Sequence, residues 1–124
     1  MTPAELARDR ESVGHIQRSA DRLAELAAAG RDAFDASWVQ RSAARWEVQV
    51  IGEAAGRLSE GFRAAYPDIG VRRAKRVRNI FVHQYDTVDE DEVWAAITTA
   101  VPEFAASLRA LSEFAPETGD EAGE

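Results

Sequence analysis

Apolar and small residues recur every three or four positions along the beginning of the chain, which is the spacing of one face of an α-helix. This pattern predicts a first helix from Glu5 to Ala28, which Gly30 ends. The residues on the predicted face are Leu6, Val13, Ile16, Ala20, Leu23 and Ala27.

A second long helix is predicted to follow, capped by Asp35 or Ser37 and ending before Pro67. Within it, Gly52 and Gly56 stand four residues apart and therefore share a face. Such a face lets another backbone approach closely, either within the chain or between two copies of it. The apolar positions assigned to this helix are Phe34, Trp38, Trp46, Val50, Ile51, Ala54, Leu58 and Phe62.

Two further helices complete the pattern. A short third helix runs from Arg72 to about Gln84, with Val77, Ile80 and Phe81 as its apolar contacts. A fourth begins after Thr87 or Asp89 with an acidic first turn, which the helix dipole favours. Pro102 lies inside this fourth helix and predicts a kink or a break. The apolar positions of this helix are Val93, Trp94, Ile97, Val101, Phe104, Leu108 and Leu111.

These patterns predict an all-α fold, an antiparallel bundle of four to five helices, since no segment shows the alternation of a strand. Residues 1–114 form the predicted domain, and residues 115–124 form an acidic tail that is expected to be disordered. The chain has no cysteine, no apolar leader and no apolar segment long enough for a membrane span. We therefore expect a cytoplasmic protein.

The charge is distributed unevenly. The net charge is -7, but the residues from Glu113 to the end carry five acids and no base. A basic cluster lies directly before the candidate site and consists of Arg72, Arg73, Lys75, Arg76 and Arg78. A local positive patch for a polyanion is therefore expected on an acidic protein.

Several kinds of chemistry lack their usual signatures. The two histidines, His15 and His83, have no partner at metal-ligand spacing, so neither a metal site nor a cofactor is expected. A glycine-rich phosphate loop with lysine and the serine elbow of hydrolases are also missing from the sequence. We expect His15 and the three tryptophans to serve packing or surface roles.

The remaining cluster surrounds His83. On a helix, Asn79 and His83 share a face, Arg78 lies beside them, and Tyr85 follows at the helix end. Cleavage of RNA without a metal needs a group that transfers protons near neutral pH and fixed positive charge for the phosphorane. His83 and Arg78 supply these chemical types, and the neighbouring cations Arg72, Arg73, Lys75 and Arg76 would bind the RNA backbone.

The residues alone leave a structural interpretation open. Arg78 could pair with a carboxylate such as Glu53, Asn79 could bond to the backbone, and His83 with Tyr85 could close the helix. Because one histidine cannot act as acid and base at once, a catalytic role predicts that two copies pair across a dimer.

Several ordered motifs resemble the HEPN toxins of the HepT kind. Arg78, His83 and Tyr85 match the R-x4-H-x-Y signature of that family. Further similar segments are Val50-Ile51-Gly52-Glu53-Ala54, Tyr66-Pro67-Asp68-Ile69, the acidic segment from Asp89 to Trp94, and Val101-Pro102. The sequence departs from the family pattern at two places. Gly70-Val71 follows Ile69 where the family often has a tryptophan, and Arg76-Val77 precedes Arg78 where the family often has a small residue. These differences affect the approach to the site more than its chemistry.

The resemblance implies a HEPN-like bundle that forms a homodimer, with Arg78 and His83 of both subunits as a metal-independent endoribonuclease site. It also implies toxicity restrained by a minimal nucleotidyltransferase antitoxin, which attaches AMP to the motif tyrosine, here Tyr85. A non-enzymatic helical module that binds a nucleotidyltransferase or its nucleotide is the alternative, and a purely structural dimerisation bundle is a third hypothesis.

Overall fold

The computed structural model describes residues 1–83 and 87–114, with residues 80–83 described by their backbone alone. This part of the chain is helical and contains no strand, so the predicted all-α, HEPN-like bundle is confirmed. The elements in chain order are α1 Pro3–Ala28, α2 Arg31–Ala36, α3 Trp38–Gly56, α4 Glu60–Ala65, α5 Val71–His83, α6 Glu90–Ala95, a π-helical turn Ala96–Ala100, α7 Val101–Arg109 and a 3-10 turn Ser112–Phe114.

Helix α1 agrees closely with its prediction. Its first turn is closed by a capping box, in which the Thr2 side chain accepts from the Glu5 N–H and the Glu5 side chain accepts from the Thr2 N–H. It ends at Ala28, and Gly30 then turns the chain with a φ of 97°, a conformation that glycine adopts without a steric penalty.

The prediction of one long second helix is wrong, because the chain forms α2, α3 and α4 there. Ser37 caps α3 as expected, whereas Ser59 starts α4 within the predicted helix. The carboxylate of Asp9 is fully buried and accepts hydrogen bonds from the Ser59 N–H at 2.8 Å and the Ser59 hydroxyl at 2.6 Å. This contact with α1 gives the Ser59 N–H an acceptor on another helix, in place of the carbonyl oxygen that a continuous helix would provide.

Of the packing or surface roles expected for the tryptophans, Trp38 and Trp46 of α3 take the surface one. Trp38 and Trp46 are exposed over 71% and 63% of their surface. The buried side of α3 carries smaller side chains, including Ala44, Val48 and Ile51, because α1 and α5 both pack closely against it.

The irregularity predicted at Pro102 is a π-helical turn that directly precedes α7. Proline has no N–H to donate and crowds the preceding turn, and the wider turn accommodates both effects. At the other end of this element, Asp89 caps α6 in a capping box with Glu92, as the sequence predicts.

Helix α1 packs against α3 on one side and against the π-helical turn and α7 on another, while α5 packs on α3. The core lies between these elements. Its largest fully buried apolar side chains are Phe34, Phe62, Ile16, Leu23, Ile97 and Leu108. In the described residues, no helix combines the length and apolar character that crossing a membrane requires.

Candidate functional site

Helix α5 carries the candidate residues and is held against α3 at an unusually close contact. A Cβ atom on Gly52 would lie 2.0 Å from the Cβ of Arg78 and 3.2 Å from the Ala74 carbonyl oxygen. A side chain at position 52 therefore cannot coexist with α5 in its present position. The close approach expected at Gly52 occurs within the chain, whereas the Lys75 side chain stays 4.0 Å from a Cβ on Gly56.

Arg78 is half-buried at this contact, and its stem fills the space that Gly52 leaves. Its Nη1 donates to the Asn79 side-chain oxygen at 2.6 Å, and its Nη2 lies 3.9 Å from a carboxylate oxygen of Glu53. The Nε atom is buried and has no hydrogen-bond partner among the described residues. The guanidinium is thus positioned by its neighbours, and Glu53 neutralises it only loosely.

Both interpretations of Arg78 meet part of this geometry. The pairing with Glu53 is present, though at the long end of ion-pair distances. Asn79 accepts from Arg78 and forms no side-chain bond to the backbone of the residues that the structure describes, so this contact fits its expected role as a supporting residue for Arg78 better than a structural bend.

The four cations predicted to bind RNA are Arg72, Arg73, Lys75 and Arg76, and all four are exposed on α5. None of them forms an ion pair or a side-chain hydrogen bond within residues 1–83 and 87–114. The helix has no acidic residue in its first turn either. Their charge is therefore available to a partner that carries negative charge.

Helical spacing relates these cations to the rest of the motif. Helix α5 is continuous from Val71 to His83, so positions 72, 76, 79 and 83 follow one another along one face. The backbone of His83 belongs to this helix, but its side chain lies outside the described residues, as does the whole of Tyr85. Their predicted roles as catalytic histidine and modified tyrosine stay predictions.

Residues outside the motif behave as surface or packing groups. His15 is exposed and lies 3.0 Å from an Arg18 guanidinium nitrogen. Trp94 stacks at a tilt on Phe34, with ring centroids 5.2 Å apart, and the Arg31 guanidinium lies 6.0 Å from its ring centre.

One feature beside α5 has no signal in the sequence. An open cleft of about 550 Å³ separates the first turns of α5 from the π-helical turn and the start of α7. Three of the four cations line it, together with apolar side chains from α3 and α7. Only packing between distant elements creates such a space, so no local pattern could indicate it.

Similar proteins from Methanocaldococcus jannaschii carry the name "Putative RNase". The protein MJ0125 is 34% identical over 56 residues, which are 45% of this chain and 48% of that protein. MJ1380 is 29% identical over 55 residues, 44% of this chain and 50% of that protein, and MJ1216 is 34% identical over 56 residues, 45% and 46%. The chain thus spans about half the length of these relatives.

No solved structure matches the chain significantly. The profile of the family described as "Ribonuclease HepT-like" matches residues 16–111, which include α3, α5 and the basic cluster. Because this match covers most of the chain, the protein belongs to the HepT-like ribonuclease family.

Proposed function

We propose that this protein is a metal-independent endoribonuclease, the toxin of a toxin–antitoxin pair, with Arg78 and His83 as its catalytic residues. The observation that carries the proposal is the exposure of four cations without ion-pair partners, within the described residues, on the helix that contains both residues. Membership of a family described as ribonucleases supports it.

The proposed reaction is transesterification of the RNA backbone. The 2'-oxygen attacks the phosphorus as a base removes its proton, the bond to the 5'-oxygen breaks, and an acid protonates that leaving oxygen. Products are a 2',3'-cyclic phosphate and a 5'-hydroxyl. His83 transfers a proton, and Arg78, oriented through Asn79, stabilises the charge that accumulates on the phosphorane.

A second copy of the chain completes the site in this proposal. One histidine serves as the base, so the acid comes from His83 of a second subunit, and the active form is a homodimer. The cations Arg72, Arg73, Lys75 and Arg76 hold the flanking phosphates. The resemblance adds regulation: a minimal nucleotidyltransferase antitoxin attaches AMP to Tyr85, and the added negative charge repels RNA from Arg78.

A non-enzymatic role as a module that binds a nucleotidyltransferase or its nucleotide is the second candidate. The contact of Arg78 with Gly52 and Glu53 is compatible with it, since a packing role would account for this arginine without catalysis.

Cleavage of RNA by the purified protein in excess chelator tests the proposal. The variants are His83→Ala and Arg78→Met, because methionine keeps an unbranched stem against Gly52 while it removes the guanidinium. The control is Arg8→Ala, which removes an exposed guanidinium of α1. We expect wild type and Arg8→Ala to cleave, and the other variants to lose about 100-fold or more in rate at unchanged fold.

Cleavage by His83→Ala and Arg78→Met at the wild-type rate would overturn the catalytic assignment. No cleavage by a wild-type protein whose mass shows an unmodified Tyr85 would favour the binding module.

A further inference from the structure

The cleft beside α5 is bounded by elements that do not close over it. Its apolar lining, called its floor below, includes Val77, Ala100 and Phe104, of which Ala100 has the smallest side chain and lies in the π-helical turn. Arg73 and Phe104 both lie close to Gly70, since a Cβ on Gly70 would be 3.9 Å from each side chain. An apolar floor under cationic groups suits a flat, partly apolar ligand that carries negative charge.

Two carboxylates line the same cleft without neutralising its arginines. Asp68 lies in the turn before α5 and Glu103 lies in α7, and both are exposed. Neither forms an ion pair with Arg73 or Arg76 in the part of the chain that the structure describes. The cleft therefore offers separate acceptors for N–H groups and donors for phosphate oxygens.

The charges of the cleft continue into the candidate site. Arg72 and Arg76 line the cleft and also precede Asn79 and His83 along one face of α5. A phosphate chain that follows this face passes from the cleft to the catalytic positions within three helical turns. One polyanion could thus occupy both the cleft and the candidate site.

From this geometry we infer that the cleft receives one unpaired nucleobase of the RNA substrate, an inference that rests on the proposed function. The base lies on the apolar floor beside Phe104, while its 5'- or 3'-phosphate binds Arg72 or Arg76. Guanine is the preferred base, because its Watson–Crick edge presents adjacent N–H donors that a carboxylate accepts together. Glu103 is the proposed acceptor, since it lines the cleft next to Phe104 on α7. The proposed substrate is therefore single-stranded RNA with a guanine near the cut.

The test measures the binding of short 2'-O-methyl oligonucleotides, which cannot be cleaved, to the full chain. Ala100→Trp fills the cleft, and Ala106→Trp places the same side chain on an exposed position of α7 that does not line it. We expect guanine-containing oligonucleotides to bind more tightly than uracil-containing ones. We expect Ala100→Trp to weaken this binding about tenfold and Ala106→Trp to leave it unchanged.

The second variant is Glu103→Gln, a conservative change at an exposed position, so it provides a test even if Ala100→Trp folds poorly. It should reduce the preference for guanine over uracil while the affinity for the uracil oligonucleotide stays the same. An abasic oligonucleotide that binds as well as the guanine oligonucleotide would overturn the inference. So would an Ala100→Trp variant that changes the oligomeric mass but not the binding, because the cleft would then be a protein contact.

The outcomes separate this inference from the proposed function. Cleavage that persists in Ala100→Trp without any base preference overturns the base pocket and leaves the ribonuclease assignment intact. Guanine-dependent binding by a wild-type protein that cleaves no RNA supports the base pocket and overturns the ribonuclease assignment.

Discussion

Arginines occur in two regions of this protein under opposite conditions. Around α2, α3 and α6, three arginines pair with acids. Arg31 lies 2.8 Å from Asp35 and 2.7 Å from Asp91. Arg41 and Arg45 share Glu90, each at 3.2 Å. The hydrogen bonds that Arg31 donates to Asp35 and, second, to Asp91 raise the pKa of its guanidinium above the ordinary value. On α5, the exposed cations have no ion-pair partner within the described residues.

The difference indicates that pairing, more than residue type, determines which arginines are available to a polyanion. A paired guanidinium would have to lose its carboxylate before it binds a phosphate, whereas the α5 cations are already free to bind one. The first region holds helices together, and the second is available for a ligand.

The largest expected effect comes from moving the whole basic helix. Gly52→Ala should destabilise the protein by about 1–3 kcal/mol, because the new Cβ overlaps Arg78 and forces α5 away from α3. Thermal unfolding measures the change, and RNA binding should fall with it.

Gly56→Ala is the matched control on the same helix, where the nearest side-chain atom stands 4.0 Å away. It should leave the free energy of unfolding unchanged or raise it by up to about 1 kcal/mol. Equal effects of the two substitutions would contradict the close contact described for Gly52.

Removing the acid from the paired region should affect stability and leave RNA binding alone. Glu90→Gln leaves Arg41 and Arg45 without their shared carboxylate, and Arg45 is largely buried with a side-chain exposure of 18%. We expect the free energy of unfolding, measured by chemical denaturation, to fall by about 1 kcal/mol. A gain in RNA affinity comparable to adding a cation to α5 would remove the distinction between the two regions.

The opposite result is expected on α5. Arg72→Ala and Arg76→Ala should change the free energy of unfolding by less than about 0.5 kcal/mol, since neither side chain has a partner to lose in the described structure. Each should lower the slope of log affinity for single-stranded RNA against log salt by about 0.7. Titrations at several salt concentrations measure this slope, and a slope equal to that of wild type would show that the cation does not contact phosphate.

The smallest effect concerns another side chain beside an acid. The hydrogen bond to Glu113 raises the pKa of Tyr66 above its ordinary value, because the carboxylate disfavours the phenolate. The resulting contribution to stability is fully present below the unfolded pKa of about 10 and is lost as the pH rises through the higher folded pKa. Ultraviolet titration in a Tyr85→Phe background should give a lower midpoint for Glu113→Gln. An unchanged midpoint would exclude Glu113 as the cause.

The sequence predicts local features of the fold well and distant contacts poorly. The Ser37 and Asp89 caps and the disturbance at Pro102 follow from one or two neighbouring residues. The break before Ser59 depends on Asp9, fifty positions earlier, and the burial of that carboxylate is invisible in the pattern. The acidic first turn of α6 illustrates the same limit, since the helix dipole explains Glu90 without revealing that it pairs with arginines of α3.

The candidate site divides in the same way. The exposure of Arg72, Arg73, Lys75 and Arg76 and the contact of Arg78 with Asn79 fit the sequence argument because all these residues lie on one helix. The cleft depends on α3, α5 and α7 together and could not be predicted. The roles of His83 and Tyr85 remain predictions from the motif.

The contact between Gly52 and Arg78 has a genetic consequence. If expression of the active protein arrests growth, a selection for survivors recovers the single substitutions that inactivate the site. Substitutions at Gly52 would be recovered beside those at Arg78 and His83, although glycine has no side chain that could take part in the chemistry. A map of escape alleles would therefore mark α3 as well as α5. Larger residues at position 52 would abolish the growth arrest, whereas substitutions at position 56 would leave it in place.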